Sequence, residues 1–223
     1  VLRDPGNLNH LLCGSEGTLA GIVSAELNIV PLPKQKGLGL IFFASVAEAM
    51  QATVELLDLK PAAIEHLDRV LLDQTKCQRE FRAARDLLGL DTRPCEAILL
   101  VEFYEDVEDR LEELAKRKLG LRKTILTASA EMNLVWALRK AGLSLLTGCK
   151  GDAKPVTGIE DTAVRPEDLP DYVWALEKLI RGLDLEASYY GHAAAGLLHV
   201  RPVLDLHSAD DLKKFRQLAD EVS

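Results

Sequence analysis

The chain has 223 residues, enough for one generous domain or two small ones with a real core. Hydrophobic residues make up 48% and charged residues 28%, an ordinary globular balance, and the net charge of -8 argues against a nucleic-acid partner, whose binding needs a concentrated positive surface. No apolar run reaches the roughly 18 residues that span a bilayer, and no charged segment followed by an apolar one marks a signal peptide.

The first 33 residues read as a loop, a Gly14-Ser15-Glu16-Gly17-Thr18 turn, and a strand through Ile22, Ala25, Leu27 and Ile29. Proline cannot donate to a strand ladder, so Pro31-Leu32-Pro33 ends that strand. The polar Lys34-Gln35-Lys36-Gly37 then reads as a linker. The boundary between two domains is therefore expected there, giving 1–33 and 34–223. The chain starts at Val1 without a methionine and stops inside a periodic helix, so it reads as an excised fragment.

Beyond the linker, strands and helices alternate. Strands are predicted over 38–45, 62–67, 96–104, 123–128, 155–160, 187–191 and 197–203. Helices are predicted over 46–59, 69–88, 107–119, 129–145 and 165–182, with Ser208 capping a last one. This order predicts an α+β fold: ferredoxin-like βαβ units sharing an antiparallel sheet, with helices on one face. The four cysteines (Cys13, Cys77, Cys95 and Cys149) are far apart without CxxC spacing, and read as reduced thiols of a cytoplasmic protein.

Four segments carry candidate chemistry. His192 and His199 lie seven apart around a glycine-bounded loop that enters a strand. Folded back, such a loop brings two imidazoles to one point, a suitable pair for a divalent ion such as zinc, although hydrogen-bonded structural histidines fit the same pattern. Arg139, on an otherwise apolar helix, offers a planar fork to a carboxylate or simply lies at the surface. Glu160-Asp161-Thr162 reads either as a turn before a helix or as a ligand contact. The closely spaced glycines of residues 14–21 let backbone amides approach an anionic or planar ligand. That turn is neither a dinucleotide fingerprint nor a P-loop, because its strand follows it and no Gly-Lys-Ser/Thr closes it.

In this order, the motifs resemble one family. Gly14-Ser15-Glu16-Gly17-Thr18-Leu19 and the strand end at Pro31-Leu32-Pro33 are similar to the last strand region of the FAD-binding domain in vanillyl-alcohol-oxidase-type flavoproteins. Leu138-Arg139, Glu160-Asp161-Thr162-Ala163-Val164 and Gly191-His192 through His199-Val200-Arg201-Pro202 resemble the FAD-linked oxidase C-terminal domain. That domain occurs in D-lactate dehydrogenases, glycolate oxidases and D-2-hydroxyglutarate dehydrogenases. The resemblance extends to a bacterial subgroup fused to an iron–sulfur region.

The resemblance implies FAD held in part by Gly14, Ser15, Gly17, Thr18 and Ile22, and a divalent metal, zinc by preference, on His192 and His199. Arg139 would clamp the C1 carboxylate of a small 2-hydroxyacid, and Arg201 would take a distal one. Reduced flavin would pass electrons to an iron–sulfur cluster or another acceptor. The third metal ligand and the catalytic base are expected beyond Ser223, so the fragment alone should be inactive. Leu143 and Ile159 stand where some relatives carry a threonine and a lysine. Ala194-Ala195-Gly196-Leu197 replaces their Gly-Asp-Gly-Asn. The location expected is cytoplasmic, with peripheral placement at the inner membrane face as the alternative. Glycolate is the rival substrate, and a non-catalytic ferredoxin-like binding module is the rival from another class.

Overall fold

The computed structural model describes residues 7–76 and 78–222, without the Asp161 side chain; Cys77, among the sequence candidates, lies outside the described residues. Contacts divide the chain into two compact units, one ending at Leu32 and the other beginning at Pro33.

In the first unit, helix α1 (Leu8–Cys13) is capped by Asn7, whose side chain accepts from the Asn9 amide. The expected turn comes next, tied by Ser15 Oγ donating to the Leu12 carbonyl and Thr18 Oγ1 donating to the Ser15 carbonyl. The strand expected through Ile22 to Ile29 is not formed: this stretch has no regular element and its apolar side chains are exposed. A strand is held by its ladder, and no described strand pairs with this segment. Alternating apolar residues alone do not make one.

The second unit is built on one antiparallel sheet. Its strands are β1 (Gly37–Phe43), β2 (Ala63–Asp68), β3 (Ala97–Phe103), β4 (Arg122–Leu126), β5 (Lys154–Pro155), β6 (Ile159–Ala163), β7 (Ala187–His192) and β8 (Leu197–Leu204). The order is β4-β1-β3-β2-β7-β8-β5, with β6 also pairing β8. The first four strands, with helices α2 (Val46–Leu56) and α5 (Val107–Lys116), make a βαββαβ unit in the ferredoxin-like arrangement. Strands β6, β8 and β7, with α8 (Leu169–Gly182) and α9 (Ala209–Val222), repeat three of its four strands. The two halves of the sheet join where β2 meets β7. The α+β class and the shared antiparallel sheet are as the sequence predicts.

The expectation of helices on a single face needs correction. The crossover helices α2, α5 and α8, with α9, do pack on one face, over Ile41, Phe43, Leu99, Val101 and Phe103. Four further helices cover the other face, over Leu38, Leu40, Phe42, Ile98 and Leu100. They are α3 (Arg69–Gln74), α4 (Arg82–Leu88), α6 (Ser129–Lys140) and α7 (Gly142–Thr147). Strands buried on both sides read as continuous apolar runs, which is what Gly37–Phe43 and Ala97–Val101 are. Each fully buried phenylalanine among them contributes on the order of 2–3 kcal/mol.

Two predicted helices are each broken in two. The helix expected over 69–88 stops at Gln74, because Arg85 Nη1 donates to the Leu72 carbonyl and to Thr75 Oγ1 and satisfies the helix end from the side. The helix expected over 129–145 breaks at Gly142, where a Cβ would stand 2.9 Å from Leu71 Cδ1. Glycine, a weak helix former, opens the second piece, and a Cβ there would press on the movable end of the Leu71 side chain.

Candidate functional site

The side chains singled out in the second unit gather on the sheet face covered by α6 and α7. Strand alternation selects them. Ile64, Tyr189, Leu198, Val200 and Ile159 point into the core on the opposite face, so Glu65, Tyr190, His199, Arg201 and Glu160 point the other way. Helix α6 lowers Arg139 onto that same face.

A hairpin brings the histidines together. Tyr190 pairs with His199 and His192 with Leu197 across β7 and β8, which sets the imidazoles diagonally on one face with ring centroids 5.5 Å apart. A single turn of 3₁₀ helix, Ala193–Ala195, closes the hairpin, and Gly196 leaves it at φ +69°. A Cβ at Gly196 would stand 2.0 Å from the Val164 carbonyl oxygen, so the turn demands glycine on both conformational and steric grounds.

Each histidine meets a glutamate that also grips an arginine. Glu65, opposite His192 in the β2–β7 ladder, has Oε1 2.7 Å from His192 Nδ1. Its Oε2 accepts from Arg139 Nε at 2.8 Å and Nη2 at 2.7 Å. Glu160 has Oε2 3.2 Å from His199 Nδ1 and Oε1 2.8 Å from Arg201 Nη2. Tyr190 stands between the two chains of contacts, 5.4 and 5.5 Å from the Arg139 and Arg201 guanidinium carbons to its ring centre. Its hydroxyl accepts from Arg201 Nε at 3.0 Å. Burial pushes the Tyr190 phenol up, opposed by the Arg201 cation, so it stays neutral.

Asp68, at the end of β2, locks this face from below. It caps α3 by accepting from the Leu71 amide, and it accepts from Ser188 Oγ and the Tyr189 amide of β7. Burial pushes its carboxyl up to about 6 against the lowering effect of those bonds, which leaves it ionised at neutral pH.

The structure thus brings together Arg139, His192, His199 and Arg201. Gly14, Ser15, Gly17, Thr18 and Ile22 belong to the first unit, where the turn backbone is largely exposed and nothing lies within 4 Å of a Cβ placed on Gly17. Ile159 is core, and Leu143 is half exposed on α7. The Glu160 segment is a strand with a bulge between Ile159 and Thr162, not a turn. Sequence reasoning misses Glu65 and Tyr190. A glutamate flanked by apolar neighbours in a short strand is the available signal, since a buried carboxylate needs a partner.

The histidine pair fits one metal ion. Two imidazoles on a tetrahedral zinc at about 2.0–2.1 Å hold their centroids roughly 5 Å apart, near the 5.5 Å seen. With Nδ1 of His192 hydrogen-bonded to Glu65, Nε2 is the donor that ring would offer. Among the described residues, no third His, Cys, Asp or Glu completes a ligand set. Nor is any described helix long and apolar enough to cross a membrane. Cys13, Cys95 and Cys149 carry free thiols.

Comparison with known proteins gives the family and the fold. The sequence model of the family described as FAD linked oxidases, C-terminal domain, matches residues 32–223. A D-2-hydroxyglutarate dehydrogenase of Pseudomonas putida is 31% identical over 97% of this chain and 23% of its own length. Glycolate oxidase subunit GlcD of Bacillus subtilis is 29% identical over 97% of this chain and 45% of its own length. The chain therefore spans less than half the length of these relatives. Among solved structures, an alkyldihydroxyacetonephosphate synthase aligns with TM-score 0.58 and 14% identity over 97% of this chain and 44% of that one. A 4-ethylphenol oxidase from Gulosibacter chungangensis aligns with TM-score 0.53 and 13% identity over 86% of this chain and 44% of that one. At such identities the likeness is one of fold.

Proposed function

This chain belongs to the FAD-linked oxidase C-terminal domain family, and from that premise we propose that it is the substrate-binding part of a longer FAD-dependent dehydrogenase. The reaction is oxidation of a D-2-hydroxyacid, D-2-hydroxyglutarate or D-lactate, to its 2-oxoacid. The relatives' names support the substrate class. The observation that carries the reading to this chain is the convergence of Arg139 and the His192–His199 pair on one sheet face.

Arg139 binds the C1 carboxylate. Glu65 engages its Nε and Nη2 through one oxygen and keeps the guanidinium plane fixed. Arg201 lies deeper, with Nε on Tyr190 and Nη2 on Glu160, while its buried Nη1 has no hydrogen-bond partner. An unsatisfied buried N–H supports assigning Arg201 to the distal carboxylate of a dicarboxylic substrate. His192 and His199 would hold a divalent ion, zinc by donor type. When bound, the ion would supply Lewis acidity and the flavin a two-electron acceptor. Gly14, Ser15, Gly17, Thr18 and Ile22 are proposed to contribute to the flavin site. An iron–sulfur region or another acceptor, and a cytoplasmic location, complete the proposal.

Anaerobic flavin bleaching of the full-length flavoprotein with a panel of D- and L-2-hydroxyacids tests it. We expect bleaching by a D-acid, abolished by chelation or by His192→Ala. A flavin that no hydroxyacid reduces would overturn the reading.

A further inference from the structure

We infer that the cavity between β3 and α6 is the mouth through which the substrate carboxylate reaches Arg139, and that Lys34, Lys36 and Lys140 draw the anion into it. The identity of the anion rests on the proposed hydroxyacid reading; the field of the lysines does not. The cavity, of about 680 Å³, lies in the second unit and has a size usual for small-ligand sites. The sheet register sets it beside the candidate site. Glu65 pairs with Leu100 and Ala63 with Glu102, so Glu102 follows Leu100 on the same face, diagonal to Glu65 and roughly 7 Å from it. Helix α6 supplies the facing wall, where Trp136 and Lys140 line the cavity three residues before and one residue after Arg139. Cavity and arginine share one helix and one sheet face.

The charges around this cavity are lopsided. Among the described residues that line it are three lysines, all exposed, and one acid, the buried Glu102. The Tyr104 hydroxyl donates to Glu102 Oε2 at 2.7 Å, a bond that pushes the phenol up to about 12. Lys36 Nζ stands 4.9 Å from the centre of the same ring, which holds that ammonium at the mouth. Asp106, Glu108 and Asp109 flank Lys34 in an adjoining hollow, so Lys36 and Lys140 carry most of the field over Trp136. The chain as a whole carries -8, a charge that repels a carboxylate from a distance. A cleft lined by one sign of charge focuses its field and raises the association rate of the opposite ion about tenfold or more. Exposed ammoniums thus collect the anion, and the less exposed, planar guanidinium of Arg139 behind them binds it.

The experiment uses the full-length flavoprotein and two readouts. Fluorescence quenching of Trp136, isolated as the difference between the parent and Trp136→Phe, is measured with iodide, caesium and acrylamide at low ionic strength. Each constant is taken relative to free N-acetyltryptophanamide. Iodide should quench Trp136 at least about threefold more strongly than caesium. The combined Lys34→Gln, Lys36→Gln and Lys140→Gln variant should lose that preference, and Lys→Arg at the same three positions should keep it. Stopped-flow bleaching by the D-acid gives the second readout. Its bimolecular rate should be about tenfold lower in the glutamine variant at about 10 mM ionic strength and match the parent's near about 0.5 M, where screening removes the field. Equal quenching by iodide and caesium, or a Trp136 that acrylamide does not reach, would overturn the inference. So would a bleaching rate unmoved by the substitutions at low salt. An iodide preference that the lysines control, in a flavoprotein that no hydroxyacid bleaches, would uphold the anion-collecting mouth and instead defeat the hydroxyacid reading.

Discussion

The two faces of the sheet at β2, β7 and β8 treat buried polar groups in opposite ways. One face carries Glu65, Tyr190, His199, Arg201 and Glu160, each tied to another of them or to Arg139. The other carries Ile64, Tyr189, Leu198 and Val200, and among them His66, fully buried with neither ring nitrogen in a well-formed hydrogen bond. Burial pushes the His66 imidazole down to about 3, opposed by the Tyr189 backbone and aided by the Arg139 cation. The lesson is that charge survives inside this domain only where it is wired to a partner; His66, one residue from Glu65, remains in the core by staying neutral.

The largest expected effect breaks this contrast by acid. The folded pKa of His66 lies below its unfolded value of about 6.5, so the stability it permits is present above that pH and is lost as pH falls toward 3, on the order of 5 kcal/mol over the window. His66→Leu should flatten the acid limb of the unfolding free energy, read by denaturant titration from pH 7 to 4. An acid limb identical to that of the parent would mean that His66 is not the group responsible. Asp68 has the opposite sign: its folded pKa of about 6 lies above the unfolded value of 3.8, so its contribution is lost as pH rises through that range.

Next in size is Arg139→Met. Losing the proposed charged contact to the substrate carboxylate should lower kcat/KM by roughly 10²–10³, about 3–4 kcal/mol. An unchanged kcat/KM would remove Arg139 from the substrate site. Arg201→Met sharpens the contrast from the buried side. Arg201 is 3% exposed and anchors both Glu160 and Tyr190, so unfolding stability should fall by about 3 kcal/mol. A loss under about 1 kcal/mol would show that Glu160 is satisfied without it. Smallest is Gly196→Ala, expected to cost about 1–3 kcal/mol for a strained turn that also crowds the Val164 carbonyl. Thermal denaturation reading no loss would show that the hairpin relaxes freely.

Much of this is legible in the chain itself. The apolar runs and their spacing announce the strands of the second unit, and the histidine pair is visible because strand patterns flank its loop. What stays hidden depends on contacts made across the fold. The partner of His192 is 127 residues away in Glu65, and only the β2–β7 register shows that they meet. The break after Gln74 is made by Arg85, which sequence periodicity counts as one more helical residue. In the first unit the error runs the other way: residues 22–29 have a strand's composition, but composition does not supply a neighbour.

The four-residue turn between β7 and β8 carries a consequence for how such a domain can change over time. Strand side chains alternate with period two, so a change in the turn that slipped the β7–β8 register by one residue would send His199 and Arg201 through to the apolar face and Val200 out of it. Changes of side chain at Ala193, Ala194 and Ala195 leave that parity intact. The turn can therefore vary only in ways that keep the register in which Tyr190 meets His199, with Ala193 in the core and Gly196 at its exit.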